Sequence, residues 1–206
     1  MADNGFHPLI VNGNGVASNF YADVKWDNGF EQWNLVRFAT PGDGNCLFHA
    51  IANSFYQPYR TESFNGKPIS RSKIVSTLRK ELAEKLDKHY ETLNNKNTST
   101  FSKDVPEFTL QHMKAELNSN NSIGYGYIEY IGNILNKDIY ILESSRKNVY
   151  KTDDPSLIIK GNRPSIVLYY INDNHYELLG VKNDDGTFNT HFSPEHKFIK
   201  FLYSKL

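Results

Sequence analysis

The spacing of apolar residues changes along this chain, and that change restricts the fold more than any other feature. Residues 71–90 place Ile74, Val75, Leu78, Leu82 and Leu86 on one stripe, with Lys and Glu opposite, as an amphipathic helix requires. Shorter helical patterns cover 107–117 and 127–136, the second with Ile128, Ile131, Ile134 and Leu135 inward. From Asp138 onward the pattern becomes that of strands. Residues 138–142 and 148–151 flank a Ser-Ser-Arg-Lys turn, and the runs 165–171 and 175–179 are split only by Asn172-Asp173-Asn174. Two β-branched and aromatic runs so divided predict a hairpin. Asp184-Asp185-Gly186 marks a further turn, and 195–203 suits strand or helix. Helices first and sheet later predict an α+β domain.

The 206 residues suit one domain, and 39% apolar content can fill its core. Residues 1–36 are rich in Asn, Gly and aromatics without a sustained period. They are expected to form an N-terminal extension packing through Phe20, Tyr21, Trp26 and Trp33. Residues 91–104 are polar and are expected to be a mobile loop. The 23 basic and 23 acidic residues cancel and are spread evenly, which does not point to nucleic acid. No apolar run approaches the ~18 residues of a membrane span. The first residues lack a basic and an apolar region, so the expected location is cytoplasmic or nuclear, without a secretory signal. A single cysteine excludes an intramolecular disulfide.

That cysteine stands at a special place. Pro41-Gly42-Asp43-Gly44-Asn45 is a dense turn signal, and a helical pattern at Leu47, Ala50, Ile51, Ser54 and Phe55 follows Cys46 until Pro58. A thiol at a helix N-terminus feels the positive end of the helix dipole, which favours thiolate. The turn can aim N–H groups of Asp43, Gly44 and Asn45 at one point, as an oxyanion hole requires. Gly42 and Gly44 would permit the backbone angles needed. A lone cysteine is more often a buried packing residue; its position between turn and helix is what singles out Cys46. Of seven histidines, His49 is on the same helix and reads as a packing or capping residue. His89 and His112 fall on helix surfaces, His7 lies in the extension, and His191 and His196 lack companions for a metal site. His175 begins a strand, at a sheet edge a helix N-terminus can approach. Glu177, two residues on, shares its face and could hold the imidazole tautomer. Asn174 and Asp43 are the rival orienting residues.

The string Pro41–Ile51 (PGDGNCLFHAI) closely resembles the cysteine box of ovarian-tumour (OTU) proteases, and Asn174–Leu179 (NHYELL) resembles their histidine box. Residues 126–141 look like the helix-then-strand segment found between them. The resemblance spans about 37–180, bounded by an extension, 1–36, and a C-terminal segment, 181–206, expected to pack on the domain. It implies a papain-like fold with helices packed on a mostly antiparallel sheet in a single domain. It implies a cysteine-type deubiquitinase with Cys46 as nucleophile and His175 as base, without cofactor or metal. Asp43 would belong to the active-site loop, its backbone contributing to the oxyanion hole. The partners implied are ubiquitin, polyubiquitin chains and ubiquitin-like modifiers, acted on by a monomer. A catalytically weak ubiquitin-binding module of the same fold is the alternative. The residue two after the histidine is usually Asp or Asn in this family; here it is Glu177. Such proteins occur in eukaryotes, viruses and intracellular bacteria. The loop at 91–104, or the helix after it, is expected to touch bound ubiquitin.

Overall fold

The computed structural model describes residues 7–8, 20–94, 105–149 and 159–206. One mixed sheet organises them. Its path runs β1 (His7–Pro8), β2 (Phe20–Asp23), β3 (Leu35–Phe38), β9 (His175–Lys182), β8 (Ser165–Ile171), β6 (Asp138–Glu143) and β7 (Asn148–Val149), and β10 (Phe188–Asn189) also pairs with β9. All these pairs are antiparallel except β6 with β8. A small hairpin, β4 (Ser63–Phe64) with β5 (Lys67–Pro68), stands apart. The helices are α1 (Cys46–Phe55), α2 (Gln57–Thr61), α3 (Arg71–Asn94), α4 (Leu110–Asn118), α5 (Ile128–Leu135) and α6 (Lys197–Tyr203). The architecture is α+β. Among the described residues, no helix is long and apolar enough to cross a membrane.

Both faces of the sheet are buried, which explains why its strands read as nearly continuous apolar runs. Val36, Phe38, Ile139, Ile141, Ile166, Leu168, Tyr176 and Leu178 pack with side chains of α1, α3, α4 and α5. The alternate positions Leu35, Tyr140, Leu142, Val167, Leu179 and Val181 meet Trp26, Phe30 and the α6 residues Phe198, Ile199 and Leu202. Strand alternation sends neighbours to opposite faces, so each strand serves two cores. Buried between sheet and helices, α1 has every residue from Cys46 to Ser54 below one-tenth exposure. Burial of this kind contributes roughly 1.5–3 kcal/mol for each large apolar side chain.

Local chemistry sets the element ends. The β8–β9 hairpin turns through Asn172 and Asp173 at φ 51° and 57°, left-handed angles that Asx residues tolerate. Helix α1 ends at Tyr56, and Pro58 enters the first turn of the next helix, where its missing N–H costs nothing. Helix α3 runs on to Asn94, past the predicted end; the rest of the expected loop, 95–104, lies outside the described residues. So do 1–6 and 9–19 of the extension and residues 150 and 151 of the predicted second strand. The ambiguous tail is helical. Strand β9 is not at a sheet edge as expected: it lies between β3 and β8, and it is the end of the strand that α1 approaches.

Candidate active site

The loop before α1 is shaped by hydrogen bonds that its own residues supply. Asp43 Oδ1 accepts the Asn45 N–H at 3.0 Å, and Asn45 Nδ2 donates to Asp43 O at 3.3 Å. Gly44 sits at φ +83°, and a Cβ there would lie 2.2 Å from Asn120 O. Both facts demand glycine. Gly42 differs from expectation: its φ is not left-handed and a Cβ would meet nothing within 4 Å. Asn45 does not cap α1 with its side chain, and the Cys46 and Leu47 N–H groups instead face the Cys46 thiol.

His49 does more than pack. Its Nε2 lies 3.2 Å from Asp43 Oδ2, and its Nδ1 lies 2.7 Å from the Tyr59 hydroxyl. An ionised Asp43 can only accept, so Nε2 carries the proton and Tyr59 donates to Nδ1. Burial pushes the His49 pKa down, against the pull of Asp43. At Asp43, partial burial opposes the charge, but the Asn45 N–H and His49 outweigh it and hold the carboxyl below its usual range. Both oxygens of Asp43 are thereby directed to its own loop and helix.

A buried arginine anchors the same loop. Arg79, 2% exposed, lies on α3. It donates to Asn45 Oδ1 at 2.9 Å, Leu117 O at 3.1 Å, Asn121 O at 3.0 Å and Glu116 O at 2.6 Å. Its guanidinium also stacks 4.6 Å over the Phe48 ring. Arg79 thus ties the cysteine loop to the last turn of α4 and the segment after it, whose Asn120 carbonyl crowds Gly44.

The first residues of β9 meet this loop. The Tyr176 N–H, in the peptide bond shared with His175, points at Cys46 Sγ at 3.5 Å. Cys46 is buried, and burial pushes its thiol up, outweighing the Tyr176, Leu47 and Cys46 N–H groups that favour thiolate. The helix N-terminus therefore acts in the expected direction but does not win. His175 Nε2 lies 3.2 Å from Thr40 Oγ1, and Thr40 donates to Tyr176 O at 2.5 Å. Glu177 is on the side expected, yet its Oε1 stands 3.9 Å from His175 Nε2 while Oε2 binds Arg37 Nη1 at 3.0 Å. Asn174 is exposed in the hairpin turn, its backbone N–H given to Ile171 O.

Cys46 and the backbone at the start of β9, far apart in sequence, thus meet at the Tyr176 N–H. The sequence profile of the OTU-like cysteine proteases matches residues 41–176. The chain belongs to that family. Its fold is that of OTU domains. An OTU domain solved in complex with ubiquitin is 17% identical, with a TM-score of 0.56 over 90% of this chain and 88% of that one. The viral OTU domain protease of Taggert virus is 16% identical, with a TM-score of 0.52 over 87% and 94%. The OTUD1 OTU domain is 19% identical, with a TM-score of 0.50 over 73% and 88%. No curated protein matches by sequence.

Within this OTU domain, sequence reading did not foresee Thr40, Arg37, Tyr59 or Arg79. Thr40 offered one signal, its place immediately before the cysteine box. Two of the other histidines have local roles. His191 Nε2 accepts from Lys137 at 2.9 Å, and His196 Nδ1 accepts the Phe198 N–H at 3.2 Å to cap α6. Among the described residues, no group of three or more His, Cys, Asp and Glu could hold a metal ion.

Proposed function

We propose that this OTU domain is a thiol-dependent deubiquitinase that hydrolyses peptide or isopeptide bonds after the C-terminal glycine of ubiquitin or a ubiquitin-like modifier. The observation that carries the reading is the Tyr176 N–H aimed at Cys46 Sγ, which brings the residue after His175 to the buried thiol. The resemblance of both boxes and the fold shared with a ubiquitin-bound OTU domain support it.

The chemistry follows from the groups present. The free thiol is held neutral by burial, so the proton moves from Sγ to His175 as the substrate carbonyl arrives. The sulfur then attacks the glycine carbonyl carbon. The carbonyl electron pair moves onto oxygen, which N–H groups of the Asp43–Cys46 loop receive, other than the Asn45 N–H expected from the sequence, because that one is bonded to Asp43 Oδ1. When the tetrahedral intermediate collapses, the C–N bond breaks and the imidazolium protonates the leaving lysine amine. His175 next takes a proton from water, the hydroxide displaces sulfur, and the proton returns to the thiolate. Glu177, 3.9 Å from the imidazole, supplies negative charge facing the imidazolium.

A ubiquitin carrying a C-terminal electrophile tests this. Wild type should be labelled covalently and Cys46→Ala should not, while still binding ubiquitin. Binding without labelling by wild type would identify a ubiquitin-binding module; neither binding nor labelling would sink the reading.

A further inference from the structure

The catalytic histidine of a thiol protease needs one ring nitrogen protonated and held so that the other faces the thiol. Here the hydrogen bonds identify the group that does this. The β3–β9 register pairs Phe38 with Leu178, so two residues further along the antiparallel pair Thr40 stands opposite Tyr176. Its hydroxyl has a single proton, which goes to Tyr176 O at 2.5 Å. Toward His175 Nε2, 3.2 Å away, the same oxygen can therefore only accept, and Nε2 must carry the proton. Nδ1 is left as the basic nitrogen.

Glu177 does not make that bond. Its Oε1 is 3.9 Å from Nε2, beyond hydrogen-bond length. Its other oxygen is bound to Arg37, one position before Phe38 on β3. The carboxylate is 6% exposed, so water cannot easily replace Arg37. Asn174 is exposed in the turn.

We infer that Thr40 is the positioning residue that fixes the Nε2–H tautomer of His175, while Arg37 holds the Glu177 carboxylate back as a remote charge. The inference rests on the reading of Cys46 and His175 as the reacting pair. A threonine hydroxyl is a neutral acceptor, roughly half as strong as a carboxylate. It costs no charge burial, because the hydroxyl is uncharged.

Histidine-selective 15N labelling tests the tautomer without any substrate, with the His175 signals assigned from a His175→Asn spectrum. At alkaline pH wild type should show the Nε2–H form. Thr40→Val should mix the tautomers and lower kcat about five- to tenfold with KM unchanged. Thr40→Ser, which restores the hydroxyl, should stay within about twofold of wild type, and Glu177→Gln, which removes a charge 3.9 Å from the ring but no hydrogen bond to it, should lose less kcat than Thr40→Val. An Nδ1–H tautomer in wild type overturns the inference, as does a kcat loss in Glu177→Gln larger than in Thr40→Val. A Thr40→Ser variant as impaired as Thr40→Val would also overturn it. If Thr40→Val does not fold, the wild-type spectrum decides alone. A wild type inactive on ubiquitin would refute the proposed substrate and leave the tautomer result standing.

Discussion

Replacing Arg79 with Met should damage stability and activity together, because one side chain carries both. Methionine keeps an apolar stem against Phe48 but removes four hydrogen bonds, to Asn45 Oδ1 and to the carbonyls of Glu116, Leu117 and Asn121. Each buried acceptor left without a donor costs about 1–3 kcal/mol. Relaxation of the 116–121 segment toward water recovers part of this, so a loss of roughly 3–5 kcal/mol is expected. For a chain of this size each kcal/mol moves Tm by about 2–4 °C, giving a fall of roughly 6–20 °C. Asn45→Ala removes the Arg79 bond to the cysteine loop together with the weaker Nδ2–H bond to Asp43 O, and should cost about 1.5–3 kcal/mol, most of it from the charged donor. In a double-mutant cycle the two changes should couple by about 1–2 kcal/mol through that shared bond. The assay is calorimetric melting beside kcat on a ubiquitin amide, and kcat should fall in both single variants. A Tm change below about 2 °C for Arg79→Met, or a coupling near zero, would refute the anchoring role.

Three further outcomes are expected. Gly44→Ala should lower both Tm and kcat, because φ +83° alone costs about 1–2 kcal/mol for an L-residue and the new Cβ collides with Asn120 O, whereas Gly42→Ala should behave as wild type; equal effects would contradict the loop geometry. The folded pKa of His49 lies below its unfolded value near 6.5, so its contribution to stability is present above about pH 6.5 and is lost as pH falls toward the folded pKa. Tm should therefore drop between pH 7.5 and 5 more steeply in wild type than in His49→Gln, and parallel slopes would exclude this role. Cys46, its pKa raised by burial, should react with iodoacetamide in the free enzyme at a rate still climbing above pH 9; a plateau near pH 6 would show a thiolate at rest.

Much of the site was legible in the amino-acid order because its determinants are local. A left-handed glycine, an aspartate bonding two residues on, and a helix starting at Cys46 all act within a few positions, so the string Pro41–Ile51 carries them. The β8–β9 hairpin is equally local, with Asn172 and Asp173 supplying the left-handed turn that delivers His175 and Glu177 to one side. The amphipathic stripe of α3 announced its buried face, yet not that Arg79 within that helix would be the anchor of the cysteine loop. Strand alternation put Glu177 beside His175, but only the tertiary structure determined the length of that contact. Thr40 meets His175 across 135 positions and Arg37 meets Glu177 across 140. Both contacts depend on the register between β3 and β9, which is settled by burying Val36 and Phe38 on one face and Leu35 on the other. The sequence by itself determined which residues could do the chemistry and the turns that present them. The pairing of distant strands decided which hydroxyl and which carboxylate the histidine faces, because register is a property of the assembled core and of no single segment.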